Sequence, residues 1–145
     1  FISEKMNFKF AQALILQSEV YIIIEEYKDA EENLNQASKI ADEFNIPQMN
    51  GRIYLAYAQI YIKKEEIDEA LDNLEEALDI FMDINNKLRC SDVLTQMGFL
   101  YLRKKKLIKA EKAHKRAKKL LGKLKGPYRN IRISKLEKAI GAYKE

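Results

Sequence analysis

"YIKKEEIDEALDNLEEA", residues 61–77, decides how this chain is read. Forty residues earlier stands "YIIIEEYKDAEENLNQA" (21–37), and forty later "YLRKKKLIKAEKAHKRA" (101–117); the three align without a gap. Tyr21, Tyr61 and Tyr101 recur at a spacing of 40, and so do Ala30, Ala70 and Ala110, and Ala37, Ala77 and Ala117. A small residue precedes each tyrosine by three: Ser18, Ala58 and Gly98. Self-similarity at such a period marks a repeat architecture, in which each unit buries its apolar face against its neighbours.

Each copy predicts two helices. Apolar residues fall at helical spacing in the first, as in Leu14, Tyr21 and Ile24, or Tyr54, Tyr57, Ala58 and Tyr61. A short charged turn follows, then a second helix with Ala70, Leu74, Ala77, Leu78 and Phe81 on one face. Alanine or glycine at the crossing lets two helix axes approach to about 8 Å. "FNIPQMN" (44–50) ends the first pair, with Pro47 suited to the first turn of the next helix, and "MDINNK" (82–87) ends the second. After Gly126-Pro127, a last helix at about 128–144 carries one apolar stripe of Ile133, Leu136, Ile140 and Tyr143. Repeat arrays need a terminal element that covers the last exposed face, and this helix is expected to be that cap, the alternative being the first helix of a fourth copy.

This pattern resembles the tetratricopeptide repeat family. The resemblance rests on the small residue, the tyrosine and the two alanines at matching offsets, with Leu34 and Leu74 between the alanines, and covers residues 11–124. The family's tryptophan is replaced by Leu14, Tyr54 and Leu94, copy three has His114 in place of leucine, and the usual late proline is absent. The spacing of 40 exceeds the family's common 34 and points to the long-helix variety. The resemblance implies an all-α, right-handed α-α superhelix of three helical hairpins plus a C-terminal capping helix. The expected organisation is a single domain over 1–145, with repeats at about 9–45, 46–85 and 86–125, belonging to a larger protein.

Composition agrees with the helical reading. Of 145 residues only five are glycine and two proline, and 33% are charged. Cys90 is the one cysteine, so no intrachain disulfide forms, and a reducing, cytoplasmic setting is the default. Apolar runs such as "VYIII" (20–24) fall far short of the roughly 18 residues a membrane span needs. The chain begins at Phe1 with no visible signal peptide.

Catalysis is poorly supplied. One histidine and one cysteine cannot build a metal site of the usual spacing, and no glycine-rich phosphate loop appears. His114 sits at a core-facing repeat position. The carboxylate pairs Glu25-Glu26 and Glu65-Glu66 lie in solvent-facing turns, where nothing separates their pKa values for acid–base work. No enzyme activity and no cofactor are expected.

The net charge of +4 conceals a split: residues 1–100 hold 9 basic and 19 acidic side chains, and residues 101–145 hold 17 and 3. Lys105, Lys109, Lys112, Arg116, Lys119 and Lys123 share one helix face. Forty residues earlier stand Glu65, Glu69, Asp72, Glu76, Asp79 and Asp83, every position reversed in sign. The basic face reads as an ordinary solvated helix face with modest ion pairing between neighbouring copies, or as suited to weak self-association against the acidic one, or to a polyanion such as nucleic acid. Nucleic acid is disfavoured, because no aromatic side chains interleave with the lysines to stack bases.

The resemblance also implies a concave groove lined by the first helices. The rows facing it are Gln12, Arg52 and Asp92; Ile15, Leu55 and Thr95; Glu19, Gln59 and Phe99; Ile22, Ile62 and Leu102; and Ile23, Lys63 and Arg103. Apolar rows flanked by polar ones suit a peptide or an amphipathic helix from a protein partner. Ile15 and Glu19 occupy two places where chaperone-binding members carry carboxylate-clamping side chains, so that specialised role is not expected.

Overall fold

The computed structural model describes residues 3–122 and 127–145. Among them are seven α-helices: α1 (Glu4–Ile23), α2 (Tyr27–Glu43), α3 (Pro47–Lys63), α4 (Ile67–Asp83), α5 (Lys87–Arg103), α6 (Leu107–Leu121) and α7 (Pro127–Lys144). No described residue is in a strand. This is the all-α helical repeat expected of the α-α superhelix class, with helix pairs at the predicted forty-residue period.

The turns repeat at half that period. Glu25, Asn45, Glu65, Asn85 and Lys105 all take positive φ, between 51° and 64°. Each residue that follows donates its N–H back to a carbonyl five positions earlier: Glu26 to Tyr21, Ile46 to Ala41, Glu66 to Tyr61, Asn86 to Phe81 and Lys106 to Tyr101, at 2.8–2.9 Å. This is the Schellman closure of a helix C-terminus, usually built on glycine. None of the five positions holds glycine, although the left-handed conformation costs an L-residue roughly 1–2 kcal/mol. Helix starts are locally supported too. Pro47 opens α3, the Ser3 hydroxyl accepts from the Met6 N–H at 3.3 Å, and Asn86 accepts from the Arg89 N–H at 3.1 Å.

The chain divides into two compact units, Phe1–Ile80 and Phe81–Glu145. In the first, α1 packs on α2 and on α3, and α2 packs on α3. The core joins Ala11, Leu14, Ile15 and Ile22 of α1, Ala30, Leu34, Ala37 and Ala41 of α2, and Met49, Ile53, Ala56 and Ile60 of α3. In the second unit α5, α6 and α7 pack on one another, with Ala110, Leu136 and Ile140 buried among Phe99, Tyr101, Leu102 and Leu107. The six alanines of the repeat are each fully buried. Leu34 and Leu74 between them are buried as well.

Two expectations need correcting. Ile24 is exposed because α1 ends at Ile23, so Ile24 lies at the turn rather than on the packed face. Tyr143 is 42% exposed, near the end of α7. Ile133, Leu136 and Ile140 do form the buried stripe of α7.

That last helix is in register with the repeat. Ile133 and Ile140 stand forty residues after Val93 and Leu100 and eighty after Ile53 and Ile60, and all six are buried. At the positions matching Leu94, Gly98 and Tyr101, however, α7 has Ser134, Lys138 and Gly141, all exposed. It keeps the inward face of a first helix and carries polar residues or glycine at three other matching positions.

Candidate functional site

The groove rows are best read one unit at a time. In the first unit they come from α1 and α3, which pack together. Ile15 and Ile22 do not line a groove: both are buried in the core formed with α2 and α3. In α1 the apolar rows therefore serve packing. On α3, Leu55 and Ile62 are half-buried, Arg52 and Gln59 are half-buried beside them, and Lys63 is exposed. Gln12 is half-buried on α1, and Glu19 is exposed, with its Oε1 3.9 Å from Arg52 Nη2. A pair this open contributes roughly 0–1 kcal/mol, so its value lies in orienting Arg52 more than in stability. What survives is a small apolar strip, Leu55 and Ile62, bordered by charged and amide side chains.

The second unit differs. Thr95 is buried and its hydroxyl donates to the Ser91 carbonyl at 2.9 Å, one turn back along α5, so it offers nothing to a ligand. Phe99 and Leu102 pack against the cluster containing Leu136 and Ile140 of α7. The apolar part of this row is thus taken by the chain's own last helix. Asp92 is half-buried and Arg103 exposed.

On α6, Lys105 (in the preceding turn), Lys109, Lys112, Arg116 and Lys119 are all exposed, while Lys123 lies outside the described residues. Lys109 Nζ sits 5.7 Å from the centroid of the Tyr101 ring. Arg116 and Lys119 border a small cavity with Lys87, Met82 and Leu120.

The remaining reactive groups have structural surroundings. Cys90 is buried, and burial pushes its thiol above the ordinary value with Arg116 partly opposing, the wrong direction for a nucleophile. The His114 side chain is 15% exposed. Its Nε2 has no hydrogen-bond partner among the described residues and lies 3.9 Å from Glu137 Oε2. No group of three potential metal ligands occurs among the described residues, and no helix there is long and apolar enough to cross a membrane.

Apart from Ile23 and Ile24, one set of exposed residues was not singled out by the sequence reading. Met6, Phe10, Leu16, Val20, Ile23 and Ile24 are large, apolar and exposed on and just after α1. The available signal was that the apolar residues of α1 are spread around the helix instead of gathered on one face.

A family model described as tetratricopeptide repeat matches residues 50–123, just over half of the chain. No curated protein matches the sequence. Among solved structures, the crystal structure of BtubC (BKLC) from P. vanneervenii is similar, with a TM-score of 0.73 and 20% identity. The likeness covers 92% of this chain and 57% of that one, so the chain spans little more than half of that structure's length. At this identity the likeness is one of fold. Its small residues, tyrosines and fully buried alanines recur at a forty-residue spacing over the region the family model matches, and the chain belongs to the tetratricopeptide repeat family.

Proposed function

We propose that this chain is a non-catalytic protein-interaction module, part of a larger regulator or scaffold, that takes a peptide or partner helix along α3 of its first unit. Repeats of this family generally mediate protein–protein interaction. The observation that supports the reading here is the half-buried pair Leu55 and Ile62, framed by Arg52, Gln59, Lys63, Gln12 and Glu19. Burying the two side chains supplies binding energy, and the polar frame sets register. Ile62→Glu tests it against a peptide selected from a random library on the native protein. The substitution is expected to weaken binding at least ~100-fold, by placing a charge in an apolar contact, as measured by calorimetry. Helicity should be retained. An unchanged affinity would move the site elsewhere, and loss of the fold would make Ile62 a core residue.

A second reading is favoured by the exposure of five basic side chains along one face of α6: charge-driven self-association, or binding of a polyanion. We expect little oligonucleotide binding at physiological salt, and a salt-sensitive association at low ionic strength that reversal of Lys109, Lys112 and Arg116 to glutamate removes. Fluorescence anisotropy with labelled oligonucleotides separates the two. Binding that falls by orders of magnitude between about 50 and 200 mM salt would mark direct phosphate contacts.

A further inference from the structure

Where α4 ends, α5 starts and α6 ends, side chains of the second unit border an open cavity of about 320 Å³. Exposed Met82 and half-buried Leu120 supply its apolar part. Half-buried Lys87 and exposed Arg116 and Lys119 supply its charge. Among the described residues none of these three cations makes an ion pair, whereas Lys144 is held by Glu111 at 2.8 Å and Lys64 by Glu31 at 3.4 Å. Arg116 lies close enough to the start of α5 for its charge to oppose the rise of the Cys90 thiol. Three unpaired cations around one apolar recess attract an anion that also has an apolar part.

The repeat shows what is special about this junction. Forty residues earlier the matching positions hold Asp42, Pro47, Glu76, Asp79 and Ile80. Leu120 keeps the apolar character of Ile80, but the exposed carboxylates Glu76 and Asp79 become Arg116 and Lys119, and exposed Asp42 becomes Met82. The repeat fold therefore requires neither the cations nor the methionine. Glu76 and Asp79 are exposed although another helix pair follows them in the chain, so exposure at these positions does not depend on where the array stops. Helix stability does not account for Lys87 either. It opens α5, whose first turn holds no acidic residue, and a cation there is set against the helix dipole.

The lining selects the ligand. A nucleic-acid backbone would meet the cations but leave Met82 and Leu120 uncovered, and no aromatic ring among the lining side chains offers a base a surface to stack on. A second copy of this chain presents its acidic α4 face with Leu74, Ala77 and Leu78 buried beneath it, so it brings charge without an apolar anchor. We propose that this cavity binds an acidic peptide segment carrying an apolar side chain: the side chain enters between Met82 and Leu120, and flanking carboxylates meet Lys87, Arg116 and Lys119. The site deepens the second reading above, on which it rests for an anionic partner of α6, and is independent of the strip on α3.

The probe is a fluorescein-labelled decapeptide of glutamates with two adjacent leucines at its centre, titrated with the full chain at about 0.15 M salt and read by anisotropy. Deca-glutamate and oligothymidylate of the same length are the comparison probes. The leucine peptide should bind at least ~10-fold more tightly than deca-glutamate, the gain from burying most of one leucine, and oligothymidylate more weakly still. In methyl spectra of the protein carrying ¹³C-methyl methionine, the Met82 signal should move on adding the peptide while that of buried Met49 stays. Arg116→Glu and Met82→Asp, which install the residues found forty positions earlier, should each weaken binding ~10-fold with circular dichroism unchanged. Lys105→Glu, about 16 Å away along α6 and matching Glu65, should change it less than ~2-fold, because that distance exceeds the Debye length. Ile62→Glu should leave it unchanged. Equal affinity for deca-glutamate, or equal loss from Lys105→Glu, would make the attraction a property of the whole basic face and overturn the proposal. Oligothymidylate binding as tightly as the peptide would overturn it in favour of nucleic acid, and a loss on Ile62→Glu in favour of the strip on α3. An unmoved Met82 signal, or no binding up to about 1 mM, would also overturn it.

Discussion

Leu136→Ala is expected to destabilise the second unit by about 2–5 kcal/mol, the range for removing a buried leucine that leaves a cavity. Leu136 is fully buried, and it reaches into the space left by the missing side chain of Gly98. A Cβ built on Gly98 would lie 2.5 Å from Leu136 Cδ2 and 3.2 Å from Cδ1. The glycine is therefore a notch in α5, and Leu136 is the ridge of α7 that fills it. Urea denaturation of the full chain measures the loss, and hydrogen exchange locates it. Amides of α7 should lose protection first, since Ile133 and Ile140 are the other large buried side chains among its described residues. A cost below about 1 kcal/mol would mean that α7 is held by Ile133 and Ile140 alone.

The notch makes a sharper form of the same experiment. Gly98→Ala gains about 1 kcal/mol of helix propensity and loses more by displacing Leu136. In the presence of Leu136→Ala the clash is gone and the propensity gain remains, so the double variant should be more stable than Leu136→Ala alone. A double-mutant cycle showing additivity would separate the two residues.

Much of this was legible before the fold was seen, because period carries information that single positions lack. Tyr21, Tyr61 and Tyr101 with their paired alanines placed three helix pairs, and Pro47 placed a helix start. The site was less legible, for a physical reason. On a helix, residues three and four apart share a face, but the sequence does not say whether that face meets protein or solvent. Ile15 and Ile22 read equally well as groove and as core, and the packing of α2 and α3 against α1 makes them core. Thr95 was read as a groove residue, and its bond to Ser91 inside the helix explains why it tolerates burial. Phe99 and Leu102 could be judged only once α7 was placed beside α5. The exposed apolar side chains of α1 were hidden by the opposite ambiguity: apolar residues spread around a helix do not say which side is packed, and the exposed ones appear only when its packing is known.

Ala70→Leu should cost about 1–3 kcal/mol through overpacking, and Ala30→Leu and Ala110→Leu should cost a similar amount. All three alanines are fully buried and occupy one position of the repeat, at the start of α2, α4 and α6. Three added carbon atoms have no space at a site with no exposed surface, so they either spread the helix pair or force the leucine out of its rotamer. Hydrophobic transfer works in the other direction, but roughly 1.5–3 kcal/mol for burying leucine is gained only if the side chain can be buried without displacing its neighbours. The control is Glu69→Leu, one residue earlier and exposed, where the change should lie within about 0.5 kcal/mol. Thermal and urea denaturation of the four variants decide the matter. Equal costs at 30, 70 and 110 would make the alanine a requirement of the repeat itself. A tolerant Ala70 beside intolerant Ala30 and Ala110 would mean that the middle pair, α3 and α4, is packed differently from the other two.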